Sequence, residues 1–88
     1  PQLENELSTL FLSTAEMYLR GMREALSSGR PWTPIAHALK GASANLGARR
    51  LSALALIAER SEPSRSQLEA IERALDEVRA FFHRRAAG

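Results

Sequence analysis

The chain has 88 residues, of which 44% are hydrophobic and 25% charged, with a net charge of +2 and no cysteine. That is the size of a single domain spanning 1–88, with enough residues for a small core but too few for an enclosed catalytic cleft of ordinary size. The lack of cysteine excludes disulfides and thiolate metal sites, and no apolar run approaches the ~20 residues that span a bilayer.

No charged-then-apolar leader opens the chain, so it carries no sign of secretion and a cytoplasmic location is expected. The start at Pro1 fits either a processed small protein or a domain of a longer chain. Eleven of the twelve basic residues are arginine, and the sequence pI is about 9.9. Nucleic acid ranks last among the partners, because the acidic residues are interspersed with the arginines. Glu69, Glu72, Arg73, Asp76, Glu77 and Arg79 alternate in sign and read as a solvated helix face.

Every periodic segment has a helical period. Leu3, Leu7, Leu10 and Phe11 repeat at three and four residues, which predicts a short capping helix at about 3–12. Ser13-x-x-Glu16 has the form of a capping box, so a new helix is expected over 14–28, with Met17, Tyr18, Met22, Ala25 and Leu26 on its stripe. Ser27-Ser28-Gly29-Arg30-Pro31 ends it. Thr33-Pro34 opens the next helix, 33–46, with Thr33 as its N-cap and Pro34 in the first helical position. Gly47 stands where a C-terminal glycine belongs.

A third helix, 48–60, carries Leu51, Leu54, Ala55 and Ala58, and Leu56 and Ile57 widen its buried face. After the break at Ser61-Glu62-Pro63, Ser64-x-x-Gln67 offers a capping box for 64–84, whose stripe is Leu68, Ile71, Leu75, Val78 and Phe82. No segment alternates with period two. The predicted fold is all-α, an antiparallel up-down four-helix bundle with short connections and enough apolar positions for a self-sufficient monomer.

The helix 33–46 holds the chemistry. At about 100° per residue, Leu39, Ala42 and Leu46 fall within roughly 40° of Ile35 and form one apolar stripe. His37 falls at about 200°, nearly opposite. Its neighbours on that face, within two turns, are Thr33, Lys40, Gly41 and Ala44, three of them small, and Lys40 is the only lysine in the chain. An exposed imidazole beside a cation on a bare face suits a phosphoryl group. Imidazole, with a model-compound pKa of ~6.5, is nucleophilic near neutral pH. Gly41 costs about 1 kcal/mol of helix propensity relative to Ala, which calls for a close approach by something docking there. Ser43, at about 80° on the wheel, reads as a packing or back-bonding hydroxyl. Asn45 is assigned no chemistry, and His83, beside Arg84 and Arg85, reads as a surface residue.

Other chemistry is poorly supported. Two distant histidines without cysteine do not make a zinc site, and Asp76 is the only aspartate. No phosphate-binding glycine loop is present, so no ATP site is expected.

His37-x-Leu39-Lys40-Gly41-x-Ser43-x-x-x-Gly47, followed by Leu51, resembles the signature of histidine-containing phosphotransfer domains, the relay modules of two-component signalling. Ala36 and Asn45-Leu46-Gly47-Ala48 match the usual pattern too, and the helix order extends the resemblance across nearly the whole chain. The resemblance implies a bundle that takes a phosphoryl group on His37 from a receiver-domain phosphoaspartate and passes it to another receiver. Lys40 then neutralises phosphate charge, and Gly41 leaves room around the histidine. The expected docking surface is Thr33, Gly41, Ala44, Ala48 and Arg49. The implied partners are response-regulator receivers and a hybrid histidine kinase. Mg²⁺ is expected in the receiver, with no cofactor in this chain. Two other readings stand beside it: the phosphoacceptor domain of a chemotaxis-type kinase, and a helical adaptor that accepts no phosphate.

Overall fold

The computed structural model describes residues 2–87, with side chains described for residues 6–85. It contains four helices: α1 (Gln2–Ser28), α2 (Thr33–Leu46), α3 (Arg49–Glu59) and α4 (Arg65–Ala87). There is no strand among the described residues. Short turns make successive helices antiparallel, and α1 packs on α4 to close the bundle, which measures 42 × 19 × 19 Å.

The separate capping helix at 3–12 does not exist. α1 runs unbroken through Ser13, so the Ser13-x-x-Glu16 pattern caps nothing; within a continuous helix the neighbouring N–H groups already have carbonyl partners. Glu16 instead pairs with Arg79 of α4. Leu3 lies outside the described side chains. Leu7 and Leu10 are exposed, Leu10 by 64%, rather than in the core. The reason is length: α1 has 27 residues and α2 and α3 only 14 and 11, so the short hairpin does not reach the N-terminal turns of α1. Met17 is exposed as well.

The core is one cluster built on Phe11, Leu19, Met22, Trp32, Leu39, Leu51, Ile71 and Leu75, interleaved with buried alanines. Truncating a residue such as Leu39 to Ala would cost about 2–5 kcal/mol by loss of transfer energy and creation of a cavity. On α2 the buried line is Ala36, Leu39 and Ser43, with Ile35, Ala42 and Leu46 half-buried on its flank. The stripe is therefore rotated from the one predicted. Ala36 and Ser43 are small enough to lie at the centre of the contact, and larger side chains close its edge. Ser43 is fully buried, and its Oγ has no protein partner, so the back-bonding alternative is not realised. On α3 only Leu51, Ala55 and Ala58 are fully buried; Leu56 is half-buried and Ile57 faces solvent, so the face widens toward Leu56 but not as far as Ile57.

The helix ends follow local chemistry. Trp32, not Thr33, occupies the cap position of α2, and its carbonyl accepts the Ala36 amide at 2.9 Å; Thr33 is already helical. Gly47 takes φ 86°, and the amides of Gly47 and Ala48 return to the carbonyls of Ala44 and Ser43. A left-handed residue at this position is what lets α3 turn back directly on α2. Ser64 Oγ accepts the Gln67 amide at 3.2 Å, which forms one half of the expected capping box. The alternating charges of α4 are not merely solvated. Glu72 meets Arg23 of α1 at 2.9 Å, Glu77 meets Arg50 of α3 at 3.3 Å, and Arg79 joins Glu16 to Asp76.

Candidate functional site

The site is built across the α2–α3 hairpin. His37 lies ten residues before Gly47 and Glu59 twelve after it, so an antiparallel return brings the end of α3 alongside the first turns of α2. His37 is 65% exposed on the outer face of α2. Its Nδ1 lies 2.8 Å from Glu59 Oε2. Lys40 follows one helical turn later on the same face. Its Nζ lies 3.0 Å from the other carboxylate oxygen, Oε1. One carboxylate thus holds the imidazole with one oxygen and the ammonium with the other.

The electrostatics fix the roles of these atoms. Lys40 first, and His37 second, hold the Glu59 carboxyl below its ordinary value of 4.5. Glu59 is therefore ionised at neutral pH, and an ionised carboxylate only accepts hydrogen bonds. The Nδ1 of His37 must then carry the proton and donate it. In the neutral ring this leaves the lone pair on Nε2, the nitrogen that faces away from Glu59. The pair thus favours one tautomer and leaves the Nε2 lone pair on the open side.

The surroundings leave that nitrogen accessible. Thr33, Gly41 and Ala44 are all exposed beside His37, and a Cβ added at Gly41 would meet no atom within 4 Å. Next to them a shallow groove runs between α2 and α3, lined by Lys40, Ala44, Gly47, Arg49, Ala53 and Leu56. Its rim carries two cations over a floor of small and apolar side chains. Ser52 Oγ donates to the Lys40 carbonyl at 3.3 Å and ties α3 to the backbone of the lysine. Ala48 is apart from the set: it is half-buried and lines a separate hollow toward Phe81 and Phe82 of α4. Asn45 is exposed on α2, and His83 is exposed on the last turns of α4.

A family model, the Hpt domain, matches residues 6–81. The chain belongs to the Hpt domain family. Hpt domains serve histidine phosphotransfer in two-component phosphorelays and work with receiver domains and kinases. No curated protein and no solved structure gave a significant match. Among the described residues, no helix is long and apolar enough to cross a membrane.

Two residues of this Hpt domain do not stand out in the sequence. Glu59, in Ala58-Glu59-Arg60, looks like an ordinary charged helix end. Only counting outward from Gly47 along both arms of the hairpin would have set it opposite His37. Trp32, the single tryptophan, carries no motif. It is fully buried, and its Nε1 donates to the Ala58 carbonyl at 2.9 Å.

Proposed function

We propose that His37 is the phosphoryl carrier of this Hpt domain, accepting the group on Nε2 from a receiver phosphoaspartate and returning it to a second receiver. The observation that carries this reading is the Glu59–His37 hydrogen bond, which directs the ring proton to Nδ1 and the lone pair to the open side. In the forward step an Nε2–P bond forms while the P–O bond to the donor aspartate breaks, and that carboxylate leaves as an anion. The ring gains positive character as Nε2 gives up its lone pair. The adjacent carboxylate holds the Nδ1 proton and offsets that charge.

Lys40 supplies positive charge to the phosphoryl oxygens. An ammonium has three donors, so it can keep Glu59 and still bond a phosphoryl oxygen. Such transfer depends on in-line placement and charge neutralisation more than on covalent chemistry by the protein. In this reading Mg²⁺ belongs to the receiver, and the chain itself binds no cofactor. The receiver docks over Thr33, Gly41 and Ala44, and Arg49 at the groove rim steers its acidic surface. The proposed setting is the cytoplasm, with the chain acting as a monomer between a hybrid histidine kinase and a response regulator.

The test is label transfer from a panel of phosphorylated receivers to wild type and to His37→Gln. Transfer to wild type alone is the expected result, and the fastest receiver names the partner. Equal labelling of His37→Gln would sink the assignment. Labelling only by a separate kinase domain with ATP would make the chain a kinase-fed acceptor. No labelling by either, with the fold intact, would leave a helical adaptor.

A further inference from the structure

We infer that Trp32 is a positioning residue for His37, acting through Glu59 by locking the last turn of α3 to the first turn of α2. The inference rests on the reading of His37 and Glu59 given above and extends it one layer inward.

Glu59 is the last residue of α3, where helices fray because their final carbonyls lack intrahelical donors. The C-cap residue, Arg60, has φ −98° and no left-handed turn to close the end. The terminal carbonyls depend on four bonds. Arg60 N–H donates to Ile57 O at 3.1 Å, Ser61 Oγ–H to the same oxygen at 2.7 Å, Ser61 N–H to Ala58 O at 3.2 Å, and Trp32 Nε1–H to Ala58 O at 2.9 Å. The first three are local and would move with the helix end if it shifted. Only the indole comes from another element, and it is fully buried.

The carbonyl it grips is the informative part. The Ala58 C=O belongs to the peptide plane that contains the amide nitrogen and Cα of Glu59. Fixing that oxygen therefore fixes the atom from which the Glu59 side chain departs. The other end of the tie is equally close to the site. Trp32 directly precedes α2, and its own carbonyl accepts the Ala36 amide, the residue before His37. One side chain thus connects the backbone that carries the carboxylate to the backbone that carries the imidazole. The pairing at 2.8 Å needs both to be set to within a few tenths of an ångström, since a hydrogen bond weakens quickly beyond its normal range.

The experiment reads the ring tautomer of His37 by long-range ¹H–¹⁵N correlation on the full, unphosphorylated chain, in wild type, Trp32→Phe, Glu59→Ala and the double variant. Phe keeps an aromatic filler in the core and removes only the N–H donor and part of the ring volume. Wild type is expected to show the Nδ1–H form alone. Folded Trp32→Phe is expected to show the Nε2–H form as well, and to add nothing further once Glu59 is already Ala, because contacts that act through one group are non-additive. A folded Trp32→Phe with the wild-type ring spectrum overturns the inference, as does an equal shift in both backgrounds. A merely structural tryptophan would lower the melting temperature without moving the tautomer.

If Trp32→Phe does not fold, hydrogen exchange of the wild-type indole N–H decides. Slow exchange, matched to the core amides of α3, supports the tie, and rapid exchange refutes it. The tautomer is read without phosphate, so this result and the label-transfer result fail independently.

Discussion

Gly41 separates the demands of folding from those of docking. It lies in the middle of α2, is exposed, and has ordinary helical backbone rather than positive φ. A Cβ there would touch nothing within 4 Å. Folding alone therefore gives no reason for glycine, which is the poorest helix former after proline. Gly41→Ala is expected to stabilise the domain by about 0.4–1 kcal/mol, from helix propensity and reduced freedom of the unfolded chain. For a domain of this size that is a rise of roughly 2–8 °C in Tm, measured by thermal unfolding at 222 nm. Gly41→Gln, also a good helix former, should retain most of that gain. Its side chain would project into the space beside His37 and slow phosphoryl transfer from a receiver, while Ala slows it less. A fall in Tm for Gly41→Ala would show that the space is not open. Wild-type transfer by Gly41→Gln would refute the claim that a partner approaches this face closely.

Other substitutions test the frame of the site. Gly47→Ala should destabilise by about 1–2 kcal/mol, because a Cβ is disfavoured in the left-handed region, and Tm should fall by roughly 4 °C or more; an unchanged Tm would mean that the α2–α3 turn is not held at that φ. The Glu59 carboxyl should titrate below 4.5 by ¹³C NMR, and Lys40→Met should move its midpoint upward, since Lys40 is the larger cause of the depression. Because the folded pKa is the lower one, the contribution of this carboxylate is fully present above its unfolded value and is lost only as pH falls through the folded pKa. The link to His37 and Lys40 should thus persist at neutral and mildly acidic pH. A midpoint above 4.5 would contradict the ion pairing.

The parts of the molecule legible in the sequence are those set by spacing within one helix. His37, Lys40, Gly41 and Ala44 share a face because residues three and four apart do so in any α-helix, and Gly47 marks its end by the same local logic. Glu59 and Trp32 were not legible because their roles depend on register between α2 and α3, which only the turn at Gly47 establishes. The boundary errors have local causes too. Ser13-x-x-Glu16 satisfies a pattern that any helix interior can contain, and the pattern cannot report that Glu16 has a partner on α4. Leu7 and Leu10 have core periodicity but outrun the helices that would cover them. The predicted stripe on α2 was weighted toward large residues, whereas the buried line at the centre of the bundle takes the small residues Ala36 and Ser43 beside Leu39.

The most direct test of the central claim is to locate the phosphoryl group itself. The full chain, phosphorylated by a charged receiver, would be studied by ³¹P NMR and by ¹H–¹⁵N correlation of the imidazole rings. The expected result is a single phosphoramidate, stable in base and labile in acid, bonded to Nε2 of His37, with the proton retained on Nδ1. A phosphoryl group on Nδ1, on His83 or on a side-chain hydroxyl would contradict it.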